Sequence, residues 1–295
     1  MHWSEVARSG DGRLRFAVVG DPPDSEILTK VFDAGFNALG VGAETILLDC
    51  EREQFPDCVA HLNGCKFQGI SVGNPHKPVA AKLATQFFIV KHALGVANAL
   101  SLGENVFAQN TEVPGFRRAI ADVTPATALV MGSGRAARSA VMGLFESGWQ
   151  VKLWNRNLLR SKPLVSLFLR YGQIETAHTA DPSGCTLIVN ATPVGRKAGE
   201  EPPIIWKHAR PKTTIVDFVY RAVATEFIRS GARFGFKTID GKELLVEQAA
   251  YAIEWWLQKQ CPREPLLAAI NFHKPTIQYA DVSGEKLAAE ISDQE

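Results

Sequence analysis

The chain has 295 residues, with 32 lysines and arginines against 31 aspartates and glutamates, so its formal net charge is +1. Hydrophobic residues make up 46% and charged residues 21%, the composition of a globular protein with enough apolar material for a sizeable core. A balanced charge gives no long-range pull toward polyanions, which argues against a nucleic-acid partner. No stretch reaches the roughly 18 consecutive apolar residues of a membrane span, so no membrane partner is expected.

The first residues, MHWSEVARSGDGRLRF, lack the apolar core and small-residue cleavage site of a secretory signal. The five cysteines, Cys50, Cys58, Cys65, Cys185 and Cys261, form an odd set without a CxxC pair. They read as free thiols in a reducing compartment, and cytoplasm is the expected location.

In chain order, LRFAVVG predicts a strand closed by Gly20, and SEILTKVFDAGFNALG a helix. ETILLDC is a second strand, Arg52 to Leu62 a polar helix, and FQGISVG a third strand. Val79 to Leu100 reads as helical, and VFAQNTEVPGF as a strand, a turn and a short helix. This alternation predicts a parallel α/β layer. Pro114, Gly115 and Pro125 mark a boundary between Thr111 and Thr124. After it come strand candidates in ALVM, VKLWNR, QIETAH, TLIVNAT and TTIVDFVY. A long helix is expected from near Gly241 to Cys261, with Trp255, Tyr251 and Gln248 sharing a stripe. The last 30 or so residues are more polar and predict a loosely packed cap or arm. The expected units are 1–115, 116–240 and a closing segment 241–295.

VMGSGRAARSA places Gly132, Ser133, Gly134, Arg135 and Ala136 between a buried strand and a helix. Such a turn suits a phosphate cradle. Gly132 allows the turn, Gly134 lets the backbone approach a pyrophosphate, and Ala137 permits close helix–strand packing. A strand begins about 18 residues later and ends at Asn155, Arg156 and Asn157, with Arg160 following. An NAD site carries an acid there. This chain has none from Val151 to Arg170, and planar arginines suit a 2′-phosphate, so NADP is expected over NAD.

Two polar clusters, GISVGNPHK and AQNTE, end predicted strands, where open α/β sheets place ligands. Lys77 and Glu112 supply a cation and a carboxylate 35 residues apart. Together they suit deprotonation of a hydroxyl, or reprotonation of its product, during hydride transfer. By themselves they are equally two surface charges; hydrogen-bond reach between amine and carboxylate distinguishes the readings.

At this point the chain resembles a family, the shikimate and quinate dehydrogenases. Gly69, Val72, Pro75 and Lys77 match G-x-x-V-T-x-P-x-K. LGVANA is similar to G-A-x-N-T with Asn98 on the asparagine, and Asn110, Thr111, Glu112 and Gly115 match N-T-D-x-x-G. GSGRAAR resembles the G-A-G-G-A-A-R loop, NRNLLR resembles N-R-T-x-x-R, and NATPVG, with Asn190 and Thr192, resembles N-A-T-S-x-G. DFVY, with Val219 and Tyr220, resembles D-x-x-Y, and GKELLVEQAAYAIEWW resembles the family's closing helix, with Gln248 on its glutamine.

The matches run in order from about Phe16 to Trp256. They imply two α/β domains, the second of Rossmann type, with an active-site cleft between them. They also imply catalytic roles for Lys77 and Glu112, and substrate contacts at the positions of Glu26, Leu28, Gly73, Asn98, Tyr220 and Gln248. Cofactor contacts fall on Gly132 to Ala136, Asn155, Arg156, Arg160, Asn190, Thr192 and Val219.

The opening motif departs from the family. Aligned without gaps from Gly20 and Pro22, the two serines that hold the shikimate carboxylate fall on Glu26 and Leu28. The threonine of V-T-x-P is Gly73, and the threonine after the asparagine is Ala99. An acid and an isobutyl group cannot replace two hydroxyl donors. The expectation is therefore an NADP-dependent oxidoreductase acting on a hydroxyl or keto carbon of a small polar, cyclic substrate, with shikimate turned over poorly or not at all. The alternative is a nucleotide-binding paralogue without turnover. Monomer and homodimer are not distinguished.

Overall fold

The computed structural model describes residues 1–8, 12–21, 24–87 and 94–272. It divides into two compact units. One comprises Met1–Thr124, Arg138–Ser147 and Lys242–Phe272; the other, among the described residues, comprises Pro125–Ala137 and Gly148–Gly241.

The first unit holds a six-stranded sheet in the order β2-β1-β3-β5-β6-β4. Its strands are β1 (Leu14–Val19), β2 (Ala43–Leu48), β3 (Gly69–Val72), β4 (Gln86–Phe87), β5 (Ala99–Ser101) and β6 (Phe107–Gln109). Successive side chains of β1 take opposite faces, as the pleat requires. Phe16 and Val18 join Phe32, Phe36, Ala249 and Ile253 on one face. Ala17 and Val19 join Phe55, Leu62, Phe67 and Ala80 on the other.

The helices follow that division. α1 (Asp24–Ala38), α8 (Gly241–Leu257) and α9 (Glu264–Ala269) supply the first cluster, while α2 (Phe55–Gly64) and α3 (Lys77–Leu83) supply the second. Trp256 packs against Phe16 and Phe32 and donates its indole N–H to the Leu100 carbonyl at 3.0 Å.

Three expectations are corrected here. The sheet is mixed, because β5 pairs antiparallel with both β3 and β6. The helix expected over Val79 to Leu100 ends at Leu83; Ala84 is extended and Gln86–Phe87 pairs in parallel with Phe107 and Ala108. Residues 88–93 of that span lie outside the described residues, as does Pro22 of the opening motif. The tail is not wholly loose, since Glu264–Ala269 is helical and Leu266 is fully buried. The rest of the polar tail, 273–295, lies outside the described residues.

The second unit holds an all-parallel sheet in the order β12-β11-β10-β7-β8-β9. Its strands are β7 (Thr127–Met131), β8 (Gln150–Trp154), β9 (Ile174–Ala177), β10 (Leu187–Asn190), β11 (Thr214–Asp217) and β12 (Lys237–Ile239). Helices α6 (Leu158–Phe168) and α7 (Glu226–Arg233) connect β8 to β9 and β11 to β12. This is the doubly wound Rossmann order, whose direction reverses between β7 and β10. Ligands of such sheets bind outside the carboxyl ends of the strands at that reversal.

Among the described residues no helix is long and apolar enough to cross a membrane. No group of three or more His, Cys, Asp or Glu side chains among them is placed to hold a metal ion.

Candidate functional site

In the first unit, α3 begins at Lys77 and α4 (Glu112–Ala119) begins at Glu112, so each charged side chain leaves the first turn of a helix. The Lys77 ammonium donates to Glu112 Oε1 at 2.6 Å, with both side chains mostly buried. The second carboxylate oxygen, Oε2, accepts from Ser139 Oγ at 2.8 Å. Asn110 fixes the start of α4: its Oδ1 accepts from the main-chain N–H groups of Glu112 and Val113. Such a side-chain cap satisfies donors that the helix itself leaves unpaired.

Asn98 connects this pair to the closing helix. Its Oδ1 accepts from the Thr111 N–H at 2.7 Å, and its amide donates to Thr111 Oγ1 and, at 3.4 Å, to Gln248 Oε1. Two glycines bring the helices close enough. A Cβ on Gly115 would lie 2.8 Å from the Gln248 nitrogen, and one on Gly143 would lie 2.9 Å from the Phe116 ring. Lys77, Glu112, Asn98 and Gln248 therefore belong to one cluster built of two hydrogen-bonded sets, Lys77–Glu112–Ser139 and Thr111–Asn98–Gln248, that meet at the Thr111–Glu112 peptide.

Glu26 and Leu28 are not part of that hydrogen-bonded cluster. Glu26 is exposed in the first turns of α1, and Leu28 packs partly against the cluster containing Phe32 and Phe36. Gly73 has a steric explanation that the sequence did not disclose: a Cβ there would lie 3.0 Å from the Gly20 Cα, and a Cβ on Gly20 would lie 2.6 Å from the Gly73 Cα. The two backbones touch, so a threonine at 73 needs the β1 loop to move. His76, between this turn and Lys77, is buried against Phe55, and that burial holds its imidazole pKa below the ordinary value.

In the second unit, the turn after β7 leads into α5 (Arg135–Glu146). Gly132 has φ +116°, and a Cβ on it would lie 2.6 Å from the Ala191 carbonyl oxygen. Its role is thus close contact with the loop after β10 as well as the turn itself. Gly134 differs, because no atom lies within 4 Å of its would-be Cβ. It is exposed at the entry to α5, whose first-turn N–H groups a helix does not pair internally, and Arg135 is exposed there too, with Ala136 half-buried. An open, donor-rich turn of this kind suits an anion.

The end of β8 lies beside the same turn: Asn155 donates to Ser133 Oγ at 2.8 Å and accepts from the Asn157 N–H. Arg156 and Arg160 are exposed, and neither takes part in an ion pair among the described residues. Two exposed guanidinium groups without a carboxylate suit a phosphate ester.

Across the reversal point, Asn190 accepts from the Thr192 N–H and hydroxyl and donates to Asp217 Oδ1 at 2.9 Å. Asp217 is fully buried, and also accepts from the Val219 N–H and from Thr225 Oγ1. It thereby ties the loop carrying Asn190 and Thr192 to the one carrying Val219 and Tyr220. Burial pushes its carboxyl pKa up to about 7, against the pull of these hydrogen bonds.

A raised folded-state pKa means that the anion costs stability above about pH 7 and that this cost is relieved as pH falls toward the ordinary range near 3.8. Asp217→Asn should therefore match the wild type near pH 4 and gain in relative melting temperature as pH rises through 7. A difference independent of pH would show that the carboxyl does not titrate in this range.

Ser139 and Asp217 are the residues that the sequence reading passed over. Asp217 had a signal, as the acid of the D-x-x-Y resemblance. Ser139 had none, being one small residue in an alanine-rich helix.

No protein-family model matches the chain. Curated relatives do. The shikimate dehydrogenase (NADP(+)) of Ignicoccus hospitalis is 31% identical over 249 residues, covering 83% of this chain and 93% of that one. Among solved structures, shikimate 5-dehydrogenase of Thermus thermophilus, in complex with NADP(H) and shikimate, superposes with a TM-score of 0.79 at 27% identity, covering 88% of this chain and 98% of that one. The ligand-free 5-ketofructose reductase of a Gluconobacter strain shares the fold with a TM-score of 0.83 at 21% identity, over 89% of this chain and 99% of its own. With near-complete coverage in both directions, the chain belongs to the shikimate dehydrogenase family.

Proposed function

We propose that the protein is an NADP-dependent dehydrogenase that interconverts a secondary alcohol and a ketone on a small, neutral, polyhydroxylated, cyclic substrate. The observation that carries this reading is the 2.6 Å contact between Lys77 and Glu112, linked through Thr111 and Asn98 to Gln248. NADP-dependent oxidation of a CH–OH group is the activity named for the family relatives. In this reading the first unit takes the substrate and the second the nucleotide. The boundaries read from sequence, 1–115 and 116–240 with 241–295 closing, are proposed as that division of labour.

The Gly132–Ala136 turn would hold the pyrophosphate, with Asn155, Arg156 and Arg160 at the adenosine end and Asn190, Thr192 and Val219 at the other. When bound, the nucleotide supplies or takes up the hydride. Lys77 then manages the proton: in reduction its Nζ gives a proton to the carbonyl oxygen, and in oxidation it takes that proton back. Glu112 holds the ammonium in place through Oε1. Asn98, Gln248 and Tyr220 would orient the remaining hydroxyls by exchange of hydrogen bonds.

Glu26 stands where the family holds a carboxylate, and its negative charge favours a neutral or hydroxyl-bearing end of the substrate. A screen of cyclic and acyclic polyols and their keto forms, with NADP and NAD, tests the reading. Shikimate, quinate and 5-ketofructose belong in it. Turnover of a neutral polyol or ketose is expected, with a shikimate specificity constant below the ordinary range of about 10⁴ to 10⁸ M⁻¹s⁻¹. Efficient shikimate turnover would overturn the substrate assignment, and no turnover with any member would overturn the activity.

The cofactor preference has its own test. Arg156→Ala should weaken NADP binding in a titration and leave NAD binding nearly unchanged, because only NADP carries the 2′-phosphate. Equal losses for the two nucleotides would place Arg156 away from that phosphate.

A further inference from the structure

We infer that Ser139 is a positioning residue for Glu112, fixing which face of the carboxylate meets the lysine. The inference rests on the proposed role of the Lys77–Glu112 pair and extends it to a side chain outside that pair. Ser139 is fully buried on α5, in the part of the helix that belongs to the first unit, and its hydroxyl donates to Glu112 Oε2 at 2.8 Å.

A glutamate side chain has three rotatable bonds, about which its carboxylate can turn even when the backbone is set. The backbone is set by Asn110, which binds the Glu112 N–H. One oxygen is then engaged by the ammonium and the other by the serine. With Oε2 pinned, Oε1 stays directed at Lys77 and little rotational freedom remains to be lost when substrate arrives.

The approach of α5 to α4 is part of the same device. Gly143, one turn beyond Ser139, lies where any Cβ would meet the Phe116 ring at 2.9 Å and the Val113 carbonyl at 3.3 Å. A bulkier residue there would hold the helices apart and lengthen the 2.8 Å contact from Ser139.

The test is a carboxyl carbon-13 titration of glutamate-labelled protein, with the Glu112 signal assigned by its loss in Glu112→Gln. Ser139→Ala should move the Glu112 midpoint upward by about one pH unit, the order expected when a carboxylate loses one buried donor. Ser139→Cys, nearly the same shape with a weaker donor, should give a smaller shift in the same direction. An unmoved midpoint in Ser139→Ala, with or without a lower melting temperature, would reduce Ser139 to a packing residue and overturn the inference. The readout needs no turnover, so its failure is separate from failure of the dehydrogenase reading.

Discussion

Lys77→Met should lower turnover by about 10² to 10⁴, the usual contribution of a positioned acid–base group, on whichever substrate the screen identifies. Methionine keeps much of the length and the apolar stem but removes both the charge and the transferable proton. Nucleotide affinity, measured by titration, should stay near the wild-type value, because the glycine turn and the two arginines are untouched. Glu112 retains a donor in Ser139 after the substitution, so the carboxylate is not left without a partner. The variant should therefore fold, and its melting temperature checks that. Glu112→Gln should also be damaging, since an amide cannot hold the ammonium by charge. An unchanged kcat in Lys77→Met would remove the lysine from the chemistry.

Gly132→Ala and Gly134→Ala should separate into two kinds of defect, although the positions are two residues apart. At Gly132 a methyl group meets the Ala191 carbonyl oxygen at 2.6 Å, and φ is +116°, which side chains other than hydrogen rarely adopt. Both partners are backbone, so relief requires the loop after β10 to shift. Gly132→Ala should lose stability, seen as a lower melting temperature without any ligand, and lose nucleotide binding with it. At Gly134 no protein atom is within 4 Å of the new methyl group. Gly134→Ala should melt like the wild type and yet bind NADP at least about tenfold more weakly, the effect of about 1.4 kcal/mol of lost phosphate contact. Normal nucleotide affinity in Gly134→Ala would place the pyrophosphate elsewhere.

Much of the second unit was legible because its central strands β7, β10 and β11 are short, almost wholly buried and rich in Val, Ile and Leu, with a glycine turn at the first crossover. In the first unit the legible parts were those with local causes, such as β1, α1 and the start of α4. The stretch after Leu83 was misread because its conformation is set from a distance: Gln86 and Phe87 are strand through pairing with Phe107 and Ala108. The three-residue strand β5 is too short to show a period, and its antiparallel direction depends on the return of the chain through β6.

The site divides in the same way. Lys77, Asn98, Glu112 and Gln248 were singled out in the sequence because the motif resemblance is carried by residue identity. The Gly20–Gly73 contact was missed because two glycines in distant loops carry no mark of being neighbours. The Ser139 contact was missed for the same kind of reason, since the serine and its carboxylate lie 27 residues apart on different helices.

The first unit is assembled from three separated stretches of chain, and this dictates an order of events during synthesis. Phe16, Phe32 and Phe36 emerge early, but their cluster is completed by Val246, Ala249, Ala250 and Ile253 of the closing helix. At about 5 to 20 residues per second, the roughly 120 residues between Thr124 and Lys242 take about 6 to 24 seconds to translate. Over that interval the nascent chain carries an apolar face with no cover of its own. The second unit, nearly continuous in sequence, is complete only when β12 has emerged, just ahead of the closing helix. On the ribosome, the half that is encoded earlier is therefore expected to become native no sooner than the half encoded later, its apolar face waiting for the closing helix.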